Sequence, residues 1–251
     1  MTETATFATR SIQVAFLTIV AGIWYAVTKT GSISPLFLPP LDAVQAAFVR
    51  LVQTGQFWSA VRVTLTTIAE AWAIAVVAGI AVAYAVTRSK FLTAVFEPVI
   101  ASTFAIPLTL LFPLFILYFG IGPNSKVAYA ATYGFFPVAL NTIAGLASVD
   151  EHYLRSARSM GASSFETFRH VLFPAAFPVI ITGLRVSFFI SFASVLGGET
   201  LSSAAGIGKN IALAAELMEP ARMYAWILFV ISITVTLNFV VSAIENSRRE
   251  H

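Results

Sequence analysis

Apolar residues in this chain of 251 residues form long runs separated by short polar segments. A helix that crosses the ~30 Å hydrocarbon core of a bilayer needs about 20 apolar residues. Six runs meet this length, at about residues 11–28, 62–86, 96–119, 127–147, 175–198 and 223–244. The pattern predicts an all-α integral membrane protein with about six transmembrane helices, forming one membrane domain over residues 1–251.

Composition agrees with this reading and excludes several kinds of site. Hydrophobic residues make up 58% of the chain and charged residues 11%, against about 25% charged in soluble domains. The net charge of +3 comes from basic residues spread over short loops, which argues against a nucleic-acid surface. Cysteine is absent and the histidines are not clustered, so we expect no metal site. The nucleotide-binding motif GxxxxGK[ST] is also absent, so we expect no cofactor in this chain.

The distribution of Lys and Arg predicts the topology. With the N-terminus inside, inner segments carry more of these residues than outer ones, among them Arg10, Arg88, Arg248 and Arg249. The positive-inside rule then places both termini and the loop 148–174 in the cytoplasm of a multi-pass inner-membrane protein. The first apolar run lacks a clear cleavage site, so we read it as a retained helix. In the outer segment 29–61 we expect a short amphipathic helix, capped by Asp42 and ending near Val52.

The loop SVDEHYLRSARSMGASSFETFRHVLFP, from Ser148, is too polar to span the membrane. Ser148 and Glu151 have the spacing of a capping box, and Gly161 is suited to end the helix with a positive φ. A second capping box runs from Ser163 to Glu166, and Pro174 should break the helix that follows. The loop is therefore predicted to contain two short helices joined by a glycine turn.

The first of these helices carries an apolar stripe. Its members are Val149, Tyr153, Ala157 and Met160, with Leu154 beside them. A helix of about a dozen residues is not stable alone in water, so the stripe must pack against something. It can pack on helix ends of the same chain or the lipid interface, or it can enter a groove of a cytosolic partner.

The loop resembles the cytoplasmic EAA loop of permease subunits from binding-protein-dependent ABC importers. The family pattern has Glu-Ala-Ala, three residues, Gly, nine residues and then Ile-x-Leu-Pro. Here these positions hold Arg155-Ser156-Ala157, Gly161 and Val171-Leu172-Phe173-Pro174 at the same spacing. Arg155 and Ser156 depart from the pattern.

The resemblance extends over about residues 35–235, with a family-like core at about 60–245, and is nearest to the sulfonate, nitrate and taurine subgroup. The similar segments, in order, are LPPLDAVQAAFVRLVQTGQFW from Leu38, AIPLTLLFPLFILYFGIG from Ala105, FFPVALNTIAGL from Phe135, GASSFETFRHVLFPAAFPVIITGLR from Gly161, GGET from Gly197 and AGIG from Ala205.

The resemblance implies a type I importer fold, and it implies partners. A second permease copy would pair with this chain, and two ABC ATPase subunits, which bind ATP and Mg, would sit on the cytoplasmic face. An extracytoplasmic binding protein would deliver the substrate, and the chain itself would not be an enzyme. The helix after Ser148 would be the coupling helix. The implied ATPase-coupling residues are Tyr153, Arg155, Ser156, Ala157, Arg158, Met160, Gly161, Val171, Phe173 and Pro174.

Other residues are candidates for the pathway or a gate. Glu70 is an acid within a span, which is a functional hypothesis by default; a structural partner for Arg62 or Thr66 is the alternative. Glu199 ends the fifth run, where a solvated helix end is the alternative to a gate. Pro107 and Pro113 can kink the third helix. Small polar residues, Ser191 among them, indicate either close helix packing or a polar route. The full set is Glu70, Pro107, Pro113, Asn141, Thr142, Ser191 and Glu199.

Substrate and energy source remain open at this point. The subgroup suggests an organic or inorganic anion such as a sulfonate, taurine or nitrate, and its relatives also handle aromatic acids and vitamin precursors. An ion-coupled secondary transporter would need several ionisable groups within the spans, and only Glu70 and Arg185 lie there. No His or Asp falls within the spans, which argues against an intramembrane enzyme.

Overall fold

The computed structural model describes the backbone of residues 3–249 and the side chains of residues 12–239 except residue 14. Helices account for all regular structure in the described residues. They are α1 (Glu3–Lys29), α2 (Leu41–Val52), α3 (Gly55–Thr87), α4 (Lys90–Phe104), α5 (Phe112–Phe119), α6 (Pro123–Ala147), α7 (Glu151–Ser159), α8 (Ser164–Thr167), α9 (Phe173–Leu201), α10 (Ile207–Glu216) and α11 (Pro220–Arg249). A 3₁₀ turn (Leu108–Leu111) precedes α5, and a π-helical segment (Phe168–Leu172) joins α8 to α9.

Four stretches of the described chain are long and apolar enough to cross a membrane: α3, α6, the helix Ser164–Leu201 and Pro220–Phe239. The pair Lys90–Phe104 and Leu108–Phe119 provides a fifth crossing if it counts as one bent span. The predicted first span lies within α1, of which Ala15–Lys29 is a shorter apolar helix. The side chains of Arg10, Arg248 and Arg249 lie outside the described residues.

The predicted span at residues 96–119 consists of two helices, and the kink expected at Pro107 is present. Helix α4 ends at Phe104, and the two halves meet at 76°. Pro107 explains the break, because it lacks an N–H and disfavours helical backbone at Ile106. Pro113 does not kink a helix; it lies at the start of α5, where a missing N–H costs nothing.

The amphipathic helix predicted in the segment 29–61 is confirmed as α2. The prediction that Asp42 caps this helix is wrong. Pro40 occupies the N-cap position and no side chain caps the helix. Asp42 lies in the first turn instead, where its charge favours the positive end of the helix dipole.

The chain divides into two compact units. Residues 60–209 form one, and the described residues before and after them form the other. In the second unit α2 packs on α11, with Val44, Ala47 and Leu51 buried. Phe57 stacks on Trp226 there at a centroid distance of 4.9 Å.

The unit of residues 60–209 is built around the pair α6 and α9. Glycines allow the two helices to approach closely, as is common between membrane helices. A Cβ on Gly183 would lie 2.6 Å from Cβ of Asn141, and one on Gly145 would lie 3.1 Å from the carbonyl oxygen of Ala176. Phe112, Tyr129 and Phe136 form part of an apolar cluster on the other side of α6.

Candidate functional site

Helix α7 begins two residues later than the sequence predicts. Asp150 is its N-cap, and its carboxylate accepts a 2.8 Å hydrogen bond from the His152 N–H. Ser148 instead ends α6, with near-helical backbone (φ −77, ψ −11), and donates its hydroxyl to the Gly145 carbonyl. The predicted Ser148–Glu151 capping box is wrong, because an N-cap residue needs extended backbone and Ser148 still belongs to the preceding helix.

The residue that departs from the family pattern, Arg155, is paired within its own helix. Its guanidinium donates to the Glu151 carboxylate at 3.0 Å, one turn earlier. The hydrogen bond and the charge of Arg155 lower the pKa of Glu151 below its usual range. Both side chains are largely exposed, so water screens this pair and it contributes little to stability.

The glycine turn after α7 is confirmed. Gly161 has φ +79, and its N–H donates to the Arg158 carbonyl at 3.0 Å. The Ala162 N–H donates to the Ala157 carbonyl at 3.1 Å. These two bonds form a Schellman motif, which satisfies carbonyls that the last turn of a helix leaves free.

The second capping box is also confirmed. The Ser163 N–H donates to the Glu166 carboxylate at 2.8 Å, and the Glu166 N–H donates to the Ser163 hydroxyl at 3.3 Å. The predicted break at Pro174 is wrong: Ser164–Leu201 is one helix of 38 residues. Its π segment bonds the Phe173 N–H to the Phe168 carbonyl. We attribute the continuity to this wider turn, because it relieves the clash of a proline ring with the carbonyl four residues earlier.

The structure divides the apolar stripe of α7 between two environments. Ala157 is buried in its own chain with 3% of its surface exposed, and Leu154 is half-buried. Tyr153 and Met160 are 62% and 81% exposed. Most of the other predicted coupling residues are exposed, namely Arg155, Ser156, Arg158, Gly161 and Pro174. Two of them are half-buried, Val171 and Phe173. One edge of the helix is thus held by the chain, and the other is uncovered.

A second group of residues surrounds Glu199 at the far end of α9. Only 2% of Glu199 is exposed, so the alternative of a solvated helix end is wrong. Its carboxyl oxygens both lie 2.9 Å from the Thr64 hydroxyl, and one accepts from the Gly208 N–H at 2.8 Å. The Ile207 N–H donates to the Thr64 hydroxyl at 2.8 Å. We call Thr64, Glu199, Ile207 and Gly208 the Glu199 cluster; it joins α3 and α9 to the first turn of α10.

Glycines and a buried lysine complete this arrangement. Gly206 has φ +109, and a Cβ there would collide with the Glu199 carboxyl group. The ammonium of Lys126, which is 1% exposed, donates to the Ile121 carbonyl at 2.6 Å and interacts electrostatically with Glu199. The segments GGET and AGIG therefore meet in space. The sequence analysis missed Thr64 and Lys126, because both are distant from Glu199 in the chain and no local signal pairs them with it.

The other pathway candidates do not converge on one site. Glu70 is exposed on α3 and forms no hydrogen bond or ion pair with the rest of the described chain. Thr142 and Ser191 are buried in the unit of residues 60–209, with the Ser191 hydroxyl 3.4 Å from the Ala130 carbonyl. The Asn141 amide donates to the Pro137 carbonyl within α6. Both prolines of the bent pair, Pro107 and Pro113, are exposed.

The α7 loop and the membrane helices define an ABC importer permease, and a family comparison agrees. Residues 75–249 match the model of the "Binding-protein-dependent transport system inner membrane component" family, and the chain belongs to this family. It is a transmembrane permease subunit of an importer in the inner membrane, not an enzyme.

Curated relatives cover most of the chain. The taurine transport system permease TauC of Escherichia coli is 29% identical over 94% of this chain and 87% of its own length. The putative aliphatic sulfonates permease SsuC of Bacillus subtilis is 26% identical over 84% and 76%. The riboflavin transport system permease RibX of Chloroflexus aurantiacus is 28% identical over 88% and 83%.

Solved structures confirm the type I fold. An inward-facing structure of the MetNI methionine ABC transporter aligns with a TM-score of 0.62 at 17% identity, covering 76% of this chain and 93% of that one. An amino acid ABC transporter with histidines aligns with a TM-score of 0.61 at 20% identity, covering 81% and 97%.

Proposed function

We propose that this permease pairs with a second copy to form the pathway for an organosulfonate such as taurine, and that two ABC ATPase subunits drive it by engaging α7. The substrate class is supported by the relatives TauC and SsuC, whose names assign them taurine and aliphatic sulfonates. An extracytoplasmic binding protein delivers the substrate, and ATP and Mg are bound by the ATPase subunits.

The uncovered edge of α7 carries the coupling part of the proposal. Tyr153 and Met160 present apolar surface that nothing in the described chain covers. An amphipathic helix with such an edge fits a hydrophobic groove on a partner. The capped ends of α7 and the burial of Ala157 hold this edge in place, so the helix can transmit movement from the ATPase. The uncovered edge of α7 is flanked by three polar residues, Arg155, Ser156 and Arg158. The turn after α7 contains Gly161, and the helix that follows contains Val171, Phe173 and Pro174.

Met160→Asp tests this role. The cognate ABC ATPase would be co-expressed with the permease, and we expect the variant to lose co-purification and substrate uptake because a charge enters the apolar contact. Ser159→Asp is the matched control, since Ser159 is exposed on the same helix but outside the stripe. Normal assembly and uptake by Met160→Asp would overturn the proposed coupling surface. Ala157→Asp is a poorer test, because it would bury a charge within the permease itself.

Uptake measurements test the substrate and the energy source. Labelled taurine uptake should compete with alkanesulfonates, and should stop when the ATPase carries a substitution that prevents ATP hydrolysis. The relative RibX favours a second candidate, a vitamin such as riboflavin, and competition by riboflavin but not by sulfonates would select it. Uptake that persists without ATP hydrolysis would instead indicate an ion-coupled transporter.

The proposed topology places α7 and both termini in the cytoplasm. Because the chain lacks cysteine, single cysteines report sidedness directly. Ile121 precedes α6 and Ser159 ends α7, which follows α6, so Ile121→Cys and Ser159→Cys flank one predicted membrane crossing. A membrane-impermeant thiol reagent added to intact cells should label the first only, and labelling of the second would reverse the orientation.

A gate is proposed at Glu199. Its cluster fixes the start of α10 to α3 and α9, so rupture of these bonds would release the segment after α9. For the pathway we retain Glu70, which is exposed on a transmembrane helix, and the bend at Pro107 and Pro113. Asn141, Thr142 and Ser191 would reach a pathway only if α6 and α9 separate. Uptake by Glu199→Gln at wild-type rates would contradict the gate.

A further inference from the structure

A small pocket of about 280 Å³ lies where three candidate membrane helices end. The C-terminal ends of α3 and α6 and the N-terminal end of the helix Ser164–Leu201 border it, and α7 closes it. Its lining residues are Tyr84, Thr87, Arg88, Leu146, Leu154, Arg158, Ala162, Ser164, Thr167, Phe168 and Leu172. We call it the α3–α7 pocket.

Two arginines give the α3–α7 pocket a positive charge. The guanidinium carbon of Arg88 lies 5.5 Å from the centre of the Tyr84 ring. The centres of the Tyr84 and Phe168 rings are 4.3 Å apart. Arg158 lies across from it on α7. Neither arginine forms an ion pair within the described chain. Arg158 interacts electrostatically with Glu151, but the Glu151 carboxylate is hydrogen-bonded to Arg155.

The hydroxyl groups that line the pocket differ in their availability to an anion. The hydroxyls of Thr87 and Thr167 donate to carbonyls of their own helices. The hydroxyl of Ser164 has no partner among the described residues and is free to donate. Apolar side chains, Leu146, Phe168 and Leu172, form the rest of the wall. The pocket thus combines two guanidinium groups and a hydroxyl with an apolar side.

We propose that the α3–α7 pocket binds the phosphate group of an anionic phospholipid. Arginine is well suited to phosphate because its N–H groups can form paired, charge-assisted hydrogen bonds. Basic pockets between membrane helices at the bilayer surface are typical sites for anionic headgroups. The volume lies just below the usual range for whole small-molecule ligands, which fits a headgroup whose acyl chains remain in the bilayer. The bound phosphate would bridge Arg88 at the end of α3 to Arg158 on α7.

The test uses the purified full-length chain in detergent without any ATPase, so its outcome is independent of the proposed transport function. Short-chain phosphatidylglycerol is titrated and the melting temperature is followed by tryptophan fluorescence, because a ligand of the folded state raises this temperature. We expect a saturable increase with phosphatidylglycerol and none with phosphatidylcholine. The double variant Arg88→Gln/Arg158→Gln should bind at least about tenfold more weakly, since it loses charge-assisted hydrogen bonds.

Two control variants separate binding from folding. Arg169→Gln removes an exposed arginine of the neighbouring π segment that does not line the pocket, and it should respond like the wild type. Arg88→Lys/Arg158→Lys keeps both charges and should retain most of the response even if the glutamine variant is unstable.

Three results would overturn the proposal. An equal response of the glutamine double variant and the wild type would show that the arginines do not bind the lipid. A response to glycerol phosphate as strong as that to the lipid would indicate a site for a soluble phosphate. Absence of a saturable response of the wild type to phosphatidylglycerol would show that the pocket does not bind this headgroup.

Discussion

Replacement of Thr64 by Val removes one hydroxyl from the Glu199 cluster while keeping the shape of the side chain. Thr64 is 1% exposed, so water cannot replace the lost group. The hydroxyl donates to the Glu199 carboxyl and accepts from the Ile207 N–H. Val can do neither, so the carboxyl loses a donor and a buried N–H loses its acceptor.

The expected cost follows from these two losses. A hydrogen bond to a charged group contributes about 1.5–3 kcal/mol, and an unsatisfied buried donor costs about 1–3 kcal/mol. Together they predict a loss of about 2.5–6 kcal/mol, which for a chain of this size corresponds to a fall in melting temperature of at least about 5 °C.

The assay is thermal unfolding of the purified permease, followed by tryptophan fluorescence. Thr64→Ser is the matched control, because it keeps the hydroxyl and loses only a methyl group, and it should remain much closer to the wild type. A Thr64→Val protein that melts within about 2 °C of the wild type would refute the reasoning, since even the lower bound of the two terms exceeds this shift. Equal destabilisation by Ser and Val would contradict the assignment of the effect to the hydroxyl, because Thr64→Ser keeps that group.

Three further predictions concern α9, the glycine turn and the ion pair of α7. Gly183→Ala should lower the melting temperature, because its Cβ would lie 2.6 Å from a neighbouring side chain, whereas Gly197→Ala on the same helix meets open space and should not. Gly161→Val should lower the free energy of unfolding by about 1–2 kcal/mol or more, because a β-branched residue tolerates positive φ poorly. It should also reduce ATPase co-purification, and full assembly would show that the turn tolerates a side chain. Arg155→Glu places two acids one turn apart at exposed positions, so it should cost little stability and leave the melting temperature within about 2 °C of the wild type; a larger fall would show that the Arg155–Glu151 pair holds α7 in place.

Local signals in the sequence predicted local structure well. Gly161 and the Ser163–Glu166 capping box depend only on neighbouring backbone groups, and both are confirmed. The Ser148 prediction was wrong because Asp150, two residues later, is an equally good capping residue. Which of the two residues caps α7 depends on the residue at which α6 ends, and the loop sequence alone does not predict that end.

Features that depend on distant residues could not be predicted. Glu199 is buried beside Thr64, which lies 135 positions earlier in the chain. A single sequence does not show that these two residues meet. The continuity of the helix through Pro174 depends on a π segment that forms across the loop and the membrane helix. The separation of Ala157 from Tyr153 and Met160 likewise requires knowledge of which edge of α7 the rest of the chain covers.

The unbroken helix Ser164–Leu201 has a mechanical consequence. At about 1.5 Å per residue, its 38 residues make a rod of about 57 Å. The rod begins beside the coupling loop and carries Glu199 near its other end. A tilt of only about 5° about the end at Ser164 would displace the opposite end by about 5 Å, more than the length of the hydrogen bonds that Glu199 makes. One stiff lever can therefore deliver a small movement at α7 as a displacement large enough to break the Glu199 cluster, without any change of conformation in between.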